Sequence, residues 1–343
     1  MRRCNMENAQ KEGRIDVENL IENPKISIIV PAYNVGKYVG QCLYTLTHQT
    51  IQIPYEIIVI NDGSTDNSLE ILQQYAAADG RVHVIDQPNS GVSAARTAGL
   101  HAARGEFICF VDGDDYVAEN YLELLYRACT LNNADISCCY YYWHLVSNDI
   151  LFEYPFRCRG VYDTEQALNI LLRDVLIQSF LWCKLYRKEL FIKSGVRFPN
   201  MCFEDLAVLH KIFAQAKNVA IIDEPLYYYN MHKDSTLGKI NPRKVDDYIR
   251  AIAMIRMTLD KSGQYSKYRD SYHALAKKTY SNCCYFLMKM HLQKKDPRGL
   301  LSDIVRLRRV VNSCCAERFN HEAVQDGLTD IFYRNKNKRG FVE

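Results

Sequence analysis

No stretch of this 343-residue chain approaches the ~18 consecutive apolar residues that a bilayer-spanning helix needs. Cysteine is plentiful at 13, yet no pair has C-x-x-C spacing, which disfavours structural zinc. Several cysteines (Cys109, Cys138, Cys139) sit inside apolar runs, and three pairs are sequence neighbours, poorly placed to bridge one another. A reduced compartment, with cysteine as a small core residue, is therefore expected rather than a disulfide scaffold. Internal repeats and low-complexity tracts are missing too. The stretch Met1 to Arg14 is polar, with no apolar core behind its arginines, so it does not read as a secretory leader, and a cytoplasmic location is expected. Two phosphate-binding signatures are also absent. There is no G-x-x-x-x-G-K-[ST] and no G-x-G-x-x-G after the first strand, which removes P-loop ATPases and ordinary dinucleotide dehydrogenases.

What is present is an ordinary globular mixture, 48% apolar and 24% charged, with ample material for a core. The net charge of +3 conceals an asymmetry. From Ile240 to Glu343 there are 21 Lys/Arg against 11 Asp/Glu, a balance of +10, which leaves −7 on the preceding residues. An acidic body thus carries a basic tail.

The first 145 residues repeat one rhythm. Apolar, β-branched runs at Ile26–Val30, Glu56–Ile60, Val82–Asp86 and Glu106–Val111 read as strands. Helical spacing fills Lys37–Gln49, Asp66–Ala78, Val92–Ala103 and Ala118–Leu131. Strands apolar throughout, alternating with helices, predict an α/β protein with a mostly parallel sheet covered on both faces. Asn67 and Glu70 have capping-box spacing, and Gly63 sits in the preceding turn. Asp135–Trp143 reads as a further strand, Thr164–Leu176 and Asp205–Ala214 as helices. Beyond Asn241 only helices are expected, including Val245–Asp260 and Tyr272–Leu292.

Open parallel sheets bind ligands outside the carboxyl ends of their strands. Those ends are polar here: Pro31-Ala32-Tyr33-Asn34, Asn61-Asp62-Gly63-Ser64-Thr65-Asp66, and Asp112-Gly113-Asp114-Asp115. Three such clusters on one edge point to a site. Three carboxylates within four residues cannot all stay ionised without a cation. Mg²⁺ or Mn²⁺, held by one or two carboxylates plus substrate phosphates, would relieve the conflict. An Asp-x-Asp strand end also opens the haloacid-dehalogenase phosphatases, with Asp112 as nucleophile and Asp114 as acid. That motif belongs on the first strand, followed by Thr or Val, whereas here it lies on the fourth and is followed by Tyr116.

The strings ISIIVPAYNVGKYV, EIIVINDGSTDNS, NSGVSAARTAGL and GEFICFVDGDDYV resemble the nucleotide-sugar-dependent glycosyltransferases of family 2, which have the GT-A fold. FLWCKLYRKELF, the Glu204-Asp205 pair and EPLYYYNMHKDS continue the match, which covers roughly residues 25 to 237. The resemblance implies a GT-A catalytic domain at 25–237, and composition, charge and periodicity add a polar lead at 1–24 and a basic helical C-terminal region at 238–343. It implies that Asp62 hydrogen-bonds the nucleotide base, while Ala32 and Tyr33, with Asn34 beside them, line the base pocket. Arg96 would sit near the nucleotide. Asp114 would be the metal ligand, shared with Asp115, while Asp112 and Asp115 would support it or hold the ribose, and His232 would complete the metal shell or touch the diphosphate. Lys184 would meet phosphate or acceptor. Asp205 would be the general base, preceded by Glu204. The family often has Asn after the Arg, where Thr97 stands here.

The chemistry implied is inverting transfer of a sugar from a nucleotide donor, a UDP-sugar above all, to a hydroxyl of a glycan or lipid-linked glycan in surface or capsular polysaccharide synthesis. The contrasting reading is a catalytically inactive module that binds nucleotide or glycan as a scaffold. For the tail, Arg306, Arg308 and Arg309 interleave with Ile304, Val305, Leu307, Val310 and Val311 ahead of a final Arg334–Arg339 cluster. Peripheral contact with an anionic membrane, at the inner face of the cell membrane, is expected of such a segment. No nucleic-acid motif is found.

Overall fold

The computed structural model describes residues 23–232, 241–294 and 297–332. Most of the expected polar lead, the expected boundary at 237/238 and the Arg334–Arg339 cluster lie outside the described residues.

Strands β1 (Ile26–Ala32), β2 (Tyr55–Asp62), β3 (Val82–Gln87) and β4 (Phe107–Phe110) run parallel in the order β3-β2-β1-β4. Every residue of β2 is buried, and so are all of β1 but Pro31, as expected of strands covered on both faces. Helices α1 (Val39–Thr47), α2 (Ser68–Ala78) and α3 (Val92–Ala102) make the crossovers. A two-residue strand β5 (Tyr116–Val117) and helix α4 (Tyr121–Leu131) follow β4.

The expected strand at 135–143 exists as β6 (Ile136–Leu145) but does not neighbour β4. Between them lies β9 (Lys184–Arg187), antiparallel to both. Four residues bounded by Lys and Arg carry no strand pattern, and the segment pairs only because flanking strands are already there. The long strand β10 (Asn218–Met231) runs parallel to β6, with register shifts around Pro225. Pro225 and the polar Asp223-Glu224 step hide it from periodicity. Edge strands β7 (Ile150–Glu153) and β8 (Gly160–Asp163) pair with β6 and β10, and β5 caps β10 on its other side.

Helices α5 (Thr164–Arg173), α6 (Glu189–Ser194) and α7 (Glu204–Phe213) precede a purely helical region. It comprises α8 (Pro242–Lys261), α9 (Tyr265–Lys294), α10 (Pro297–Cys315) and α11 (His321–Phe332). The expected Asn67–Glu70 capping box does not form, since Asn67 makes no side-chain cap bond. Asp66, one residue earlier, takes that place by accepting Ser68 N–H at 3.0 Å.

Candidate active site

Two loops at the carboxyl edge are stapled together before any functional group is placed. Asn34 Oδ1 accepts Thr65 N–H (2.7 Å), and Asp66 Oδ2 accepts Gly36 N–H (3.0 Å). Burial works against the Asp66 charge, yet the donors of Ser68 and Gly36 hold its carboxyl below the usual range. Gly63 turns at φ +70°, and a Cβ there would lie 2.6 Å from the backbone of Asn89. Asn34 is thus a loop-joining residue with a positive φ, while Tyr33 beside it is half exposed and Ala32 is buried.

Asp62 ends β2 and is buried, and its carboxylate caps the start of α3 from a neighbouring strand. It accepts Gln87 Nε2–H (2.7 Å), Ser90 N–H (3.0 Å) and Gly91 N–H (2.8 Å). These fill three of the roughly four acceptor sites of a carboxylate.

One turn into α3, Arg96 is only 4% exposed and anchors a charge cluster. Its Nη2 donates to Asp112 Oδ1 at 3.0 Å, and its Nη1 pairs with Glu204 Oε1. Burial alone would lower its pKa, but the carboxylates of Glu204, Asp112 and Asp205 outweigh it and raise the pKa. Glu204 and Asp205 open α7 behind Phe203, which holds a left-handed φ of 59°. Glu204 is buried in its ion pair and so is turned away from a role as base. Asp205 stays partly exposed, its Oδ1 accepting the N–H of Leu206 at 2.7 Å. Burial, reinforced by Glu204, pushes its carboxyl up to about 8 despite Arg96.

The acidic turn is divided in three directions. Gly113 passes so close to β1 that a Cβ would lie 2.9 Å from the Pro31 carbonyl. Asp112 points to Arg96, and burial raises its pKa even so. Asp115 is turned inward: its Oδ2 accepts the Tyr227 hydroxyl (2.6 Å) and its Oδ1 the Asn230 N–H (2.8 Å). Burial followed by repulsion from Asp114 and Asp112 raises it strongly. With both oxygens engaged and 1% exposure, Asp115 braces the turn, in contrast to its expected place as a metal ligand. Asp114 is partly exposed, its Oδ2 3.0 Å from His232 Nε2. His232 stacks on Tyr38 at 4.5 Å, and its Nδ1 is buried with no hydrogen-bond partner among the described residues. No group of three His, Cys, Asp or Glu suited to a metal occurs among the described residues. One carboxylate and one imidazole nevertheless suit an ion that takes its remaining ligands from substrate phosphates and water.

Lys184 departs from expectation. Its ammonium is buried and donates to the carbonyls of Gln178 (2.9 Å) and Phe180 (2.6 Å), and burial lowers its pKa. Those carbonyls belong to a loop without strand partners, so Lys184 pins that loop rather than meeting phosphate.

Sequence reading takes the run Tyr227–Tyr229 for sugar stacking or core packing, and misses Asn230 and the part Tyr227 plays under the acidic turn. Tyr227 O–H also accepts the Asp112 N–H (3.2 Å), and Asn230 Nδ2 donates to the Asp114 carbonyl (2.6 Å). His144 Nδ1 lies 2.7 Å from Asn230 Oδ1 and backs it. Strand alternation along β10 divides Tyr227, Tyr228 and Tyr229 between two faces. Tyr227 and Tyr229 stack on Trp182 (4.5 and 5.6 Å), while Tyr228 lies between Tyr116 and Tyr142 on the other face.

The strand ends of the parallel sheet thus gather a carboxylate turn, a buried arginine and an acid at a helix start at the edge where open α/β sheets bind their ligands. Residues 27–213 match the sequence profile of Glycosyl transferase family 2, more than half of the chain, and the chain belongs to that family. The uncharacterized glycosyltransferase EpsJ of Bacillus subtilis is 35% identical over 216 residues, covering 62% of this chain and 62% of EpsJ. The cholesterol galactosyltransferase of Borreliella burgdorferi is 32% identical over 222 residues, covering 62% of this chain and 61% of the relative. The chain thus spans about three fifths of the length of these curated relatives. The solved structure of S. aureus TarS 1–349 in complex with UDP superposes with a TM-score of 0.62 at 20% identity, covering 90% of both chains. The expected GT-A fold with a helical C-terminal region therefore holds.

Proposed function

We propose that the protein transfers a sugar, with inversion, from a UDP-sugar to a hydroxyl of a glycan or lipid-linked glycan in surface or capsular polysaccharide synthesis. The observation that carries this reading is geometric: Asp205 is a partly exposed carboxyl at the start of α7, beside the Arg96–Asp112–Glu204 cluster at the strand ends, and burial raises its pKa. A base works best with a pKa near the operating pH. Attack assisted by one base, on the face opposite the leaving diphosphate, is direct displacement and inverts the anomeric carbon. Tyr33 and Ala32 line the base pocket, and Asp62 offers its remaining acceptor site to a nucleobase N–H. Arg96 holds Asp112 and Glu204 in place, which leaves Asp205 as the only member of its pair able to take a proton. Asp114 and His232 would hold Mn²⁺ or Mg²⁺, which when bound offsets the charge of the diphosphate. The UDP in TarS supports a uridine nucleotide, and the cholesterol galactosyltransferase supports a hydroxyl acceptor with lipid character.

Donor hydrolysis measured across UDP-, GDP- and dTDP-sugars, with Mn²⁺ and with chelator, tests the reading. UDP-sugar turnover that chelator abolishes is expected. No turnover of any donor, with UDP binding retained, would make the chain a nucleotide-binding scaffold instead.

A further inference from the structure

The helical region uses its charge unevenly. The first half of α9 lies on the acidic body, where Lys267 pairs with Glu165 (2.7 Å) and Lys278 with Asp174 (2.5 Å). Arg256 and Arg306 are likewise engaged, with Asp260 (2.8 Å) and Asp303 (3.6 Å). Arg306, expected to be a surface cation, is thus only partly exposed and paired along its own helix.

The far half of α9 and the start of α10 are different. Tyr285, Met288 and Leu292 recur at helical spacing on α9 and are all exposed, Leu292 by 69%. On α10, Leu301 and Val305 share a face one turn apart and are exposed by 67% and 45%. Only two residues separate the helices in sequence, so Leu292 and Leu301 lie at one end of the hairpin. Cations border the apolar stripes: Lys289, whose Nζ sits 4.7 Å over the Tyr285 ring, and the exposed Arg308 and Arg309. From Ser271 to Ala316 the sequence holds 9 Lys/Arg against 2 Asp/Glu, and one of those acids, Asp303, is taken by His291 (3.0 Å) and Arg306.

We infer that this end of the α9–α10 hairpin docks on an anionic lipid surface, with Met288, Leu292, Leu301 and Val305 entering the headgroup layer and Lys289, Arg308 and Arg309 meeting lipid phosphates. Large aliphatic side chains flanked by cations match a layer that is apolar beneath and anionic above. A second copy fits poorly, because a two-fold contact through this face would oppose like charges. Nucleic acid fits poorly as well, since exposed Leu and Met have no role against a phosphate backbone. The inference does not depend on the donor chemistry proposed above.

Vesicle co-sedimentation decides it, comparing phosphatidylcholine alone with phosphatidylcholine containing phosphatidylglycerol at about 0.1 M salt, where surface charge still acts over about 10 Å. The full chain should pellet only with the anionic vesicles and should be released at high salt. The Leu292→Ser/Leu301→Ser variant and the Lys289→Glu/Arg308→Glu/Arg309→Glu variant should each weaken partition about tenfold or more. Both should bind UDP as the parent does, which separates loss of docking from loss of fold. Equal recovery in the supernatant with both lipids overturns the proposal, as does undiminished pelleting of both variants. A concentration-dependent dimer that both variants abolish overturns it in favour of a self-interface. If vesicle binding holds while no sugar nucleotide is turned over, the transferase reading fails and the docking surface stands.

Discussion

Asp205 is pulled between fold and function. Burial and the neighbouring Glu204 favour its neutral form, pushing the carboxyl up to about 8, whereas a base must be ionised. The sign follows directly: kcat/KM should rise with pH, reach half its limit near 8 and level off above. Asp205→Asn should remove that profile and lower kcat by roughly 10²–10⁴-fold while leaving UDP binding nearly intact. Transfer at the parent rate would show that Asp205 is not the base. The same raised pKa has a stability consequence of opposite sense. Folding disfavours the Asp205 anion, so its contribution to stability is fully present below about pH 4, its ordinary range, and is lost as pH rises through about 8. Asp205→Asn should therefore raise Tm at pH 9 more than at pH 6. Asp114→Asn belongs with the cation and not with the proton. It should weaken donor binding in Mn²⁺ and leave binding in chelator unchanged.

At the scale of elements, the site depends on how closely α3 approaches the sheet. Gly99 faces β1 and β2, and a Cβ there would lie 2.4 Å from Ile29 Cγ2 and 2.8 Å from Ile60 Cδ1. Arg96 stands on the same helix three residues earlier, so anything that lifts α3 moves the arginine that holds Asp112 and Glu204. Gly99→Ala should cost about 1–3 kcal/mol by overpacking, read from urea unfolding, and should also weaken UDP binding. A stability loss with unchanged nucleotide affinity would show that Arg96 tolerates the shift. The strand β10 has a matching role opposite. It brings Tyr227 and Asn230 under the acidic turn, so that both oxygens of Asp115 are taken up by hydrogen bonds while Asp114 stays partly exposed.

For the whole molecule, the helical region is joined by one buried cation. Arg256 on α8 is 1% exposed, donates to the carbonyls of Cys314 (3.0 Å) and Glu317 (3.2 Å), and lies over the ring of Tyr265. Removing it strips the buried Cys314 carbonyl and the partly buried Glu317 carbonyl of this donor and leaves a void among α8, α9 and α10. Arg256→Ala should destabilise this region by about 3 kcal/mol or more. Hydrogen exchange should then accelerate in α10 and α11 while β1, β2 and β4 keep their protection. Loss of protection in the sheet as well would mean that the two parts unfold as one unit. Among the described residues no helix is long and apolar enough to cross a membrane.

Some of this was written in the chain itself. Uninterrupted apolar strands alternating with amphipathic helices demand a parallel sheet covered on both faces, and the polar strand ends mark its ligand edge, because local periodicity and turn chemistry suffice for both. The Asp112–Asp115 turn was legible for the same reason, as was the helical nature of the described residues beyond Asn241. The sequence could not divide labour among like residues, since that depends on partners far along the chain. Asp115 differs from Asp114 only through Tyr227 and Asn230, more than 110 residues away. Glu204 differs from Asp205 only because Arg96, 108 residues earlier, reaches one and not the other. Lys184 turned inward because a loop of unpaired carbonyls needed a donor, and β9 became a strand because two others flank it. Periodicity reports which face of an element is buried. Which carboxylate keeps its charge is decided by what lies across the fold.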